Sequence, residues 1–315
     1  MTHKIIIDTD PGIDDAMAIF YAFQEPEIEV LGLTTVFGNV PVEMAAQNAL
    51  TLVKLAGKDI PVCKGVARPW VGKESNYAHF VHGDDGFGNI NFPPATDAKL
   101  DPRSAAQFIV DMARQYPGEI TLVAIGPLGN LALALRLEPE LPKLVKGVSI
   151  MGGAAFVPGN VTPVAEANIW NDAYAAEIVF AADWELTMFG LDVTLGVAFA
   201  PDFLSTIKTS NPKLGGFVHD ASQFYVDFYS QNRTEKVCFF HDAMPIAHLV
   251  DPSLFELKRG HARVSTDPLN IGQTSVALPN TTTSPDWLNA QQINVATKVD
   301  SQRITQLYLD AYARA

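Results

Sequence analysis

The stretch Asp8-Thr9-Asp10-Pro11-Gly12-Ile13-Asp14-Asp15 carries four carboxylates in eight residues. Crowded at the end of a buried segment, such groups repel one another unless they are protonated or share a cation. A helix N-terminus offsets only about 0.3–1 kcal/mol per exposed carboxylate. Helix capping therefore accounts for one or two of these acids, not for the set. An all-oxygen, aspartate-rich cluster favours a hard divalent ion, Ca²⁺ or Mg²⁺, over zinc. Asp14 and Asp15 are neighbours on the first turn of the expected helix, where adjacent side chains diverge by about 100°. One can bind the ion while the other faces a substrate.

Other polar groups recur in otherwise apolar stretches. Asn160, Glu166 and Asn168 offer donors and acceptors within a short segment, which suits a polyhydroxylated ligand such as a sugar. His241 and Asp242 follow the apolar pair Phe239-Phe240 and precede a helix. Asp242 is a candidate distant ligand for the amino-terminal cation, with His241 left free for proton transfer. His79 and His82 fall in residues 75–102, a stretch starting at Ser75-Asn76 that has neither helical nor strand periodicity and reads as a lid-like loop. A plain surface position is the alternative for both, and it is weaker for His82. At helical spacing, Phe224/Phe228 and Tyr225/Tyr229 form adjacent stripes, with the tyrosines expected at a cleft and the other stripe in the core.

These residues need a scaffold, and the chain supplies alternating strand and helix patterns. Lys4–Ile7, Ile28–Phe37, Ile60–Cys63, Ile120–Ile125, Val148–Met151 and Leu186–Phe189 read as strands. Helices are expected from Ala16, from Pro41, over Ala105–Tyr116, Leu128–Leu137 and Ala173–Ala182, and at the end over Gln302–Ala313. This order predicts an α/β fold, a single large doubly wound domain over residues 1–315 with a mainly parallel sheet and helices on both faces. Ligands of such sheets bind beyond the carboxyl ends of the strands. Asp8, Asp10, Asn39, Gly126 and Gly152-Gly153 all fall there, so together they outline a site.

The formal charge of −13, from 35 acids and 22 bases, argues against a nucleic-acid partner. Cys63 and Cys238 are expected to be buried free thiols. The opening residues lack a basic segment followed by a long apolar one, and no apolar run reaches membrane-spanning length. A cytoplasmic protein without a membrane partner is expected, so Asn160-Val161-Thr162 and Asn280-Thr281-Thr282 are chance matches to a glycosylation pattern.

With these residues in place, the chain resembles the inosine-uridine-preferring nucleoside hydrolase family. The resemblance rests on Asp8 to Ala16, supported by Thr35-Val36-Phe37-Gly38-Asn39-Val40, Met151-Gly152-Gly153, Glu166-Ala167-Asn168, Gly190-Leu191-Asp192-Val193-Thr194 and His241-Asp242. It implies a metal-dependent N-ribohydrolase that splits a nucleoside into ribose and base, assembled as a homodimer or homotetramer. It also implies Ca²⁺, with Asp10, Asp15, Asp242 and the Ile125 carbonyl as ligands. Asp14 matches the general base and His241 the proton donor to the leaving base. Asn39, Asn160, Glu166 and Asn168 match groups that hold the ribose hydroxyls, and His82 corresponds to the lid region. Ile125 and Gly129 stand where the family often has Thr. A backbone contact makes the first change immaterial, and the second has no reading in sequence terms.

The chemistry expected is direct displacement with inversion. Asp14 deprotonates water, and no second carboxylate is obviously placed as nucleophile. Two other classes compete. A haloacid-dehalogenase-type phosphatase would use Asp8 as nucleophile, but the continuation Pro11-Gly12-Ile13-Asp14-Asp15 does not match it. A non-catalytic sugar-binding protein would explain the hydroxyl-binding groups but not the clustered acids.

Overall fold

The computed structural model describes residues 2–72, 77–231 and 236–314. Strands β1 (His3–Thr9), β2 (Ile28–Thr35), β3 (Val62–Lys64), β4 (Ile120–Ala124), β5 (Gly147–Met151) and β6 (Leu186–Phe189) pair in parallel in the order β3-β2-β1-β4-β5-β6. Two short strands, β7 (Ala198–Phe199) and β8 (Cys238–Phe239), form a separate antiparallel pair. The main sheet is then extended by β9 (Phe255–Val264), β10 (Thr274–Ala277) and β11 (Gln292–Val299). Of these, β11 lies parallel to β6, and β9 is antiparallel to both β11 and β10.

Alternation along β1 explains how one strand can be buried on both faces. Ile5 and Ile7 enter the cluster formed with helices Ile13–Gln24, Val42–Leu55, Leu214–Ser230 and Ser301–Ala313. Ile6 points the other way, into the cluster with helices Ala105–Gln115, Gly129–Leu137 and Ala173–Phe180. Helices therefore cover both faces, as the strand-helix alternation predicts.

The chain leaves β1 for β2 and β3 on one side, then crosses back to β4 on the other side of β1. Such a reversal opens a crevice at the carboxyl ends of the two strands flanking it, here β1 and β4. Asp10 follows β1 and Ile125-Gly126 follows β4.

Several boundaries differ from the sequence reading. β1 runs on to Thr9, so Asp8 lies within the strand. β2 stops at Thr35; Val36 and Phe37 pack with Val42, and their N–H groups donate to the Thr9 and Val66 carbonyls. The third strand begins at Val62 rather than Ile60, beyond Pro61, which has no N–H to donate. Pro41 caps its helix from outside the first turn, with φ −55° and ψ 147°. In the 75–102 stretch, His79–His82 forms one short helix. Ser75 and Asn76 lie outside the described residues.

Candidate functional site

The acidic turn divides into residues of different surroundings. Asp8 shares the face of β1 that carries Ile6, and its Oδ1 accepts from the Thr34 hydroxyl and the Asn130 amide. It therefore belongs to the frame and not to the expected cation cluster; burial pushes its carboxyl up to about 7. Asp10 Oδ2 accepts the Asn39 N–H at 2.6 Å, and its buried Oδ1 has no hydrogen-bond partner. Glycines make room for that carboxylate, since a Cβ would stand 2.0 Å from Asp10 Oδ2 at Gly38 and 2.5 Å from Oδ1 at Gly126.

Asp15 and Asp14 diverge as helical geometry requires. Asp15 turns back under the loop, accepting from the Thr9 hydroxyl, Asp10 N at 3.2 Å, Gly12 N at 2.9 Å and Asn39 Nδ2 at 3.0 Å. Asp14 reaches the cavity, with Oδ2 accepting the Tyr225 hydroxyl at 3.1 Å and Oδ1 unpartnered. Carboxylate oxygens of Asp14, Asp15 and Asp242 lie within 4.8 Å of one another. Burial is the leading cause that pushes all three, and Asp10, above the ordinary aspartate range, with mutual repulsion adding to it for Asp15, Asp242 and Asp10. The all-oxygen donor set and the orphaned Asp10 and Asp14 oxygens fit a hard divalent ion.

A cavity of 370 Å³ opens over this cluster. Asp14, Asn39, His82, Ile125, Asn160, Glu166, Asn168, Tyr225, Tyr229, His241 and Asp242 all line it, whereas Asp10 and Asp15 lie beneath. Asn168 Nδ2 donates to the Ile125 carbonyl at 3.0 Å and to that of Met151 at 3.1 Å. Asn160 Oδ1 accepts Ala167 N at 3.0 Å. Glu166 caps the helix Ala167–Asn171, accepting N–H groups of Asn168, Ile169 and Gly153. Burial still pushes its carboxyl up to about 7.

Both histidines of the cavity are buried and neutral at pH 7. His82 Nδ1 accepts the Ile13 N–H at 3.2 Å, so the neutral ring carries its proton on Nε2. Burial lowers its pKa to about 4, and its ring stacks on Tyr225 at 5.6 Å between centroids. His79 is half exposed, near Asp84. His241 touches Thr194 Oγ1 with Nδ1 at 2.7 Å and the Tyr229 hydroxyl with Nε2 at 3.1 Å. Burial and the nearby His82 lower its pKa to about 3. Tyr225 and Tyr229 face the cavity as the stripe predicts, and Phe228 lines it too, while Phe224 packs on the core.

Sequence reasoning missed Thr194 as the partner of His241 and Met151, Phe80 and Phe228 as cavity wall. Thr194 sits in the Gly190–Thr194 segment, where no local pattern distinguishes it from a helix terminus. Among the described residues, no helix is long and apolar enough to cross a membrane.

The fold is that of solved nucleoside hydrolases. A plant nucleoside hydrolase structure superposes with a TM-score of 0.95 at 38% identity, covering 99% of each chain. Uridine nucleosidase 1 of Arabidopsis thaliana is 40% identical over 306 residues, 96% of this chain and 91% of that one. The inosine-uridine preferring nucleoside hydrolase of Leishmania major is 38% identical over 320 residues, covering 100% of this chain and 98% of its own. The profile of the inosine-uridine preferring nucleoside hydrolases matches residues 5–306, and the chain belongs to that family. It is an enzyme that hydrolyses nucleosides.

Proposed function

We propose that the chain hydrolyses the N-glycosidic bond of ribonucleosides to ribose and free base, with inversion, as a Ca²⁺-dependent enzyme. The observation that carries this reading is the convergence of Asp14, Asp15 and Asp242 within 4.8 Å, with Asp14 and Asp242 lining a cavity walled by amides and aromatic rings. Asp10, Asp15, Asp242 and the Ile125 carbonyl would hold the ion. Bound there, Ca²⁺ would supply charge to orient vicinal hydroxyls and to acidify a water.

The protein's own groups carry the remaining steps. Asp14, raised above the ordinary carboxylate range and with Oδ1 unpartnered, takes a proton from the attacking water. Asn39, Asn160, Glu166 and Asn168 are the proposed ribose-holding groups, and Glu166 also accepts the backbone N–H of Asn168. The acidic wall favours positive charge developing at the anomeric carbon as the base departs. Inversion is the proposed route: Asp10, Asp15 and Asp242 are assigned to the ion, Glu166 holds three donors, and Asp14 is assigned to the water. His241 is the proposed proton donor to the leaving base; because its ring is neutral at rest, it must take up a proton before passing one on, with the Tyr229 hydroxyl hydrogen-bonded to its Nε2. His82 and Tyr225 form the wall beside Asp14.

Residues 1–315 are read as one hydrolase domain, since β1 and β11 belong to one sheet. A homodimer or homotetramer is the proposed assembly, to be checked by light scattering. The direct test incubates purified protein with uridine, inosine, cytidine and adenosine and measures free ribose, whose initial anomer by NMR must be α if the reaction inverts. Uridine and inosine come first because the names of the plant and Leishmania relatives carry them. A 2′-deoxynucleoside should be a poor substrate, because it leaves buried hydroxyl-binding groups unpaired. Equal turnover of uridine and 2′-deoxyuridine would contradict the ribose grip.

A further inference from the structure

One buried side chain outside every site motif fastens the loop that carries His82 to the acidic turn. Asn48 lies in the helix Val42–Leu55, and only 7% of it is exposed. Its amide nitrogen donates to the Pro11 carbonyl at 3.1 Å and to the Asp85 carbonyl at 3.0 Å. Pro11 sits between Asp10 and Gly12, and Asp85 lies three residues beyond His82. The two hydrogens of one NH₂ group thus bridge the turn that bears the carboxylates and the loop that roofs them.

The loop is built for that approach. Gly86 has φ +78°, and a Cβ there would stand 2.8 Å from Asn48 Nδ2 and 3.0 Å from the Pro11 oxygen. The Asp85 carboxylate gathers the N–H groups of Phe87, Asn89 and Asn91 at 2.7, 2.8 and 3.1 Å. Gly88 N donates back to the His82 carbonyl at 2.8 Å, and Phe87 packs edge-on against Phe217. Residues 82–91 are thus tied to one another, and they are held to the turn through Asn48 at the Asp85 carbonyl and directly at His82 Nδ1, which accepts the Ile13 N–H. The His82 ring itself lies hard against that turn, since a Cβ on Gly12 would come 2.6 Å from its Nδ1.

We propose that Asn48 is a positioning residue for nucleoside hydrolysis: it sets the seat of the 82–91 loop on the acidic turn and so holds His82, stacked on Tyr225, in the substrate cavity. This rests on the nucleosidase reading of the cleft. Without the amide, two buried carbonyl oxygens lose their donor and must find water. The turn cannot yield, because Asp15 grips it through Gly12 N and Asp10 N. The loop lifts instead, and the carboxylates stay where they are.

The test is a double-mutant cycle with Asn48→Ala and His82→Ala, read as kcat and KM for uridine, with hydrogen–deuterium exchange over residues 82–91 and the stoichiometry of bound Ca²⁺. Asn48→Ala should raise KM by roughly 10-fold or more with a smaller change in kcat, at unchanged Ca²⁺ content. In the His82→Ala background it should change kcat/KM by less than about 2-fold, because the residue it positions is gone. Exchange should quicken over 82–91 and at the Ile13 N–H that His82 Nδ1 accepts, and not at Asp10 or Gly12, whose N–H groups are held by Asp15. Gly86→Ala, which pushes the loop off without removing the amide, should reproduce the KM effect and the faster exchange. Equal losses in both backgrounds, unchanged exchange over 82–91, or loss of Ca²⁺ would overturn the proposal. A wild-type protein that releases no ribose would overturn the nucleosidase reading instead, and exchange over 82–91 would still decide whether Asn48 holds the loop.

Discussion

Asp14 and Asp15 are adjacent and chemically identical, yet their surroundings give them different capacities. Asp15 is oriented by donors from the turn and from Asn39, while Asp14 keeps one oxygen free at the cavity. Asp14→Asn should therefore abolish turnover while Ca²⁺ stays bound, measured by steady-state kinetics beside elemental analysis. Asp15→Asn should lose the ion first, with activity partly restored at high Ca²⁺. An Asp14→Asn enzyme with near-normal turnover would remove the general base from the mechanism. His241→Ala should slow inosine by roughly 10²-fold, the range of a general acid, and spare a nitrophenyl riboside whose leaving group needs no proton. Equal losses on both substrates would end the acid role. At this scale the charge density of one turn singles out Asp10, Asp14 and Asp15, and the His241-Asp242 pair after an apolar run singles out Asp242; the structure brings carboxylate oxygens of Asp14, Asp15 and Asp242 within 4.8 Å of one another. A strand ending at Ile7 leaves Asp8 in the turn; with the strand extended to Thr9, alternation puts Asp8 on the Ile6 face, where Thr34 and Asn130 donate to its Oδ1 and its Oδ2 is buried without a partner. Thr194 was invisible because its partner is 47 residues away.

Elements place these side chains through close approaches at strand ends. β1 and β4 end side by side at the crossover, and the glycines that follow β2 and β4 leave room for the Asp10 carboxylate. Gly126→Ala would drive a Cβ to 2.5 Å from Asp10 Oδ1, a separation that real Cβ contacts do not tolerate. The carboxylate must rotate away, so Ca²⁺ affinity should fall by roughly 10-fold or more, as read by calorimetric titration, while the far-UV circular dichroism of the sheet is retained. Unchanged affinity would mean that Asp10 is not a ligand. The strands themselves were legible because buried parallel strands read as apolar runs between turn residues. Their ends were less so: Val36 and Phe37 are as apolar as the strand before them, yet the strand ends at Thr35 and both pack with Val42. The helix His79–His82 escaped notice for the related reason that four residues are too short to show a period.

Across the whole molecule, the buried acids make stability a function of both protons and the ion. In the folded chain, burial raises Asp8 and Glu166 to about 7 and Asp172 to about 6, and it holds Asp10 and Asp242 well above the ordinary aspartate range. Unfolded, the same groups release their protons near their ordinary values of 3.8 for Asp and 4.5 for Glu. Between those values and about 7 the folded state binds more protons, so the stability of ion-free protein falls as pH rises through that window. His82 and His241 act in the opposite sense. Their folded pKa values are depressed to about 4 and about 3, so their contribution is present above 6.5 and is lost as pH falls. The acids outnumber them, and the ion-free protein should be most stable in mild acid. A divalent ion competes for the same carboxylates and binds best when they are deprotonated. At 100-fold excess over Kd it adds about 2.7 kcal/mol, a rise in Tm of roughly 5 °C for a chain of this size. Thermal unfolding with Ca²⁺ and with EDTA should therefore diverge at about pH 7.5 and nearly coincide at about pH 5. A gap of the same size at both pH values would show that the ion does not sit on these carboxylates.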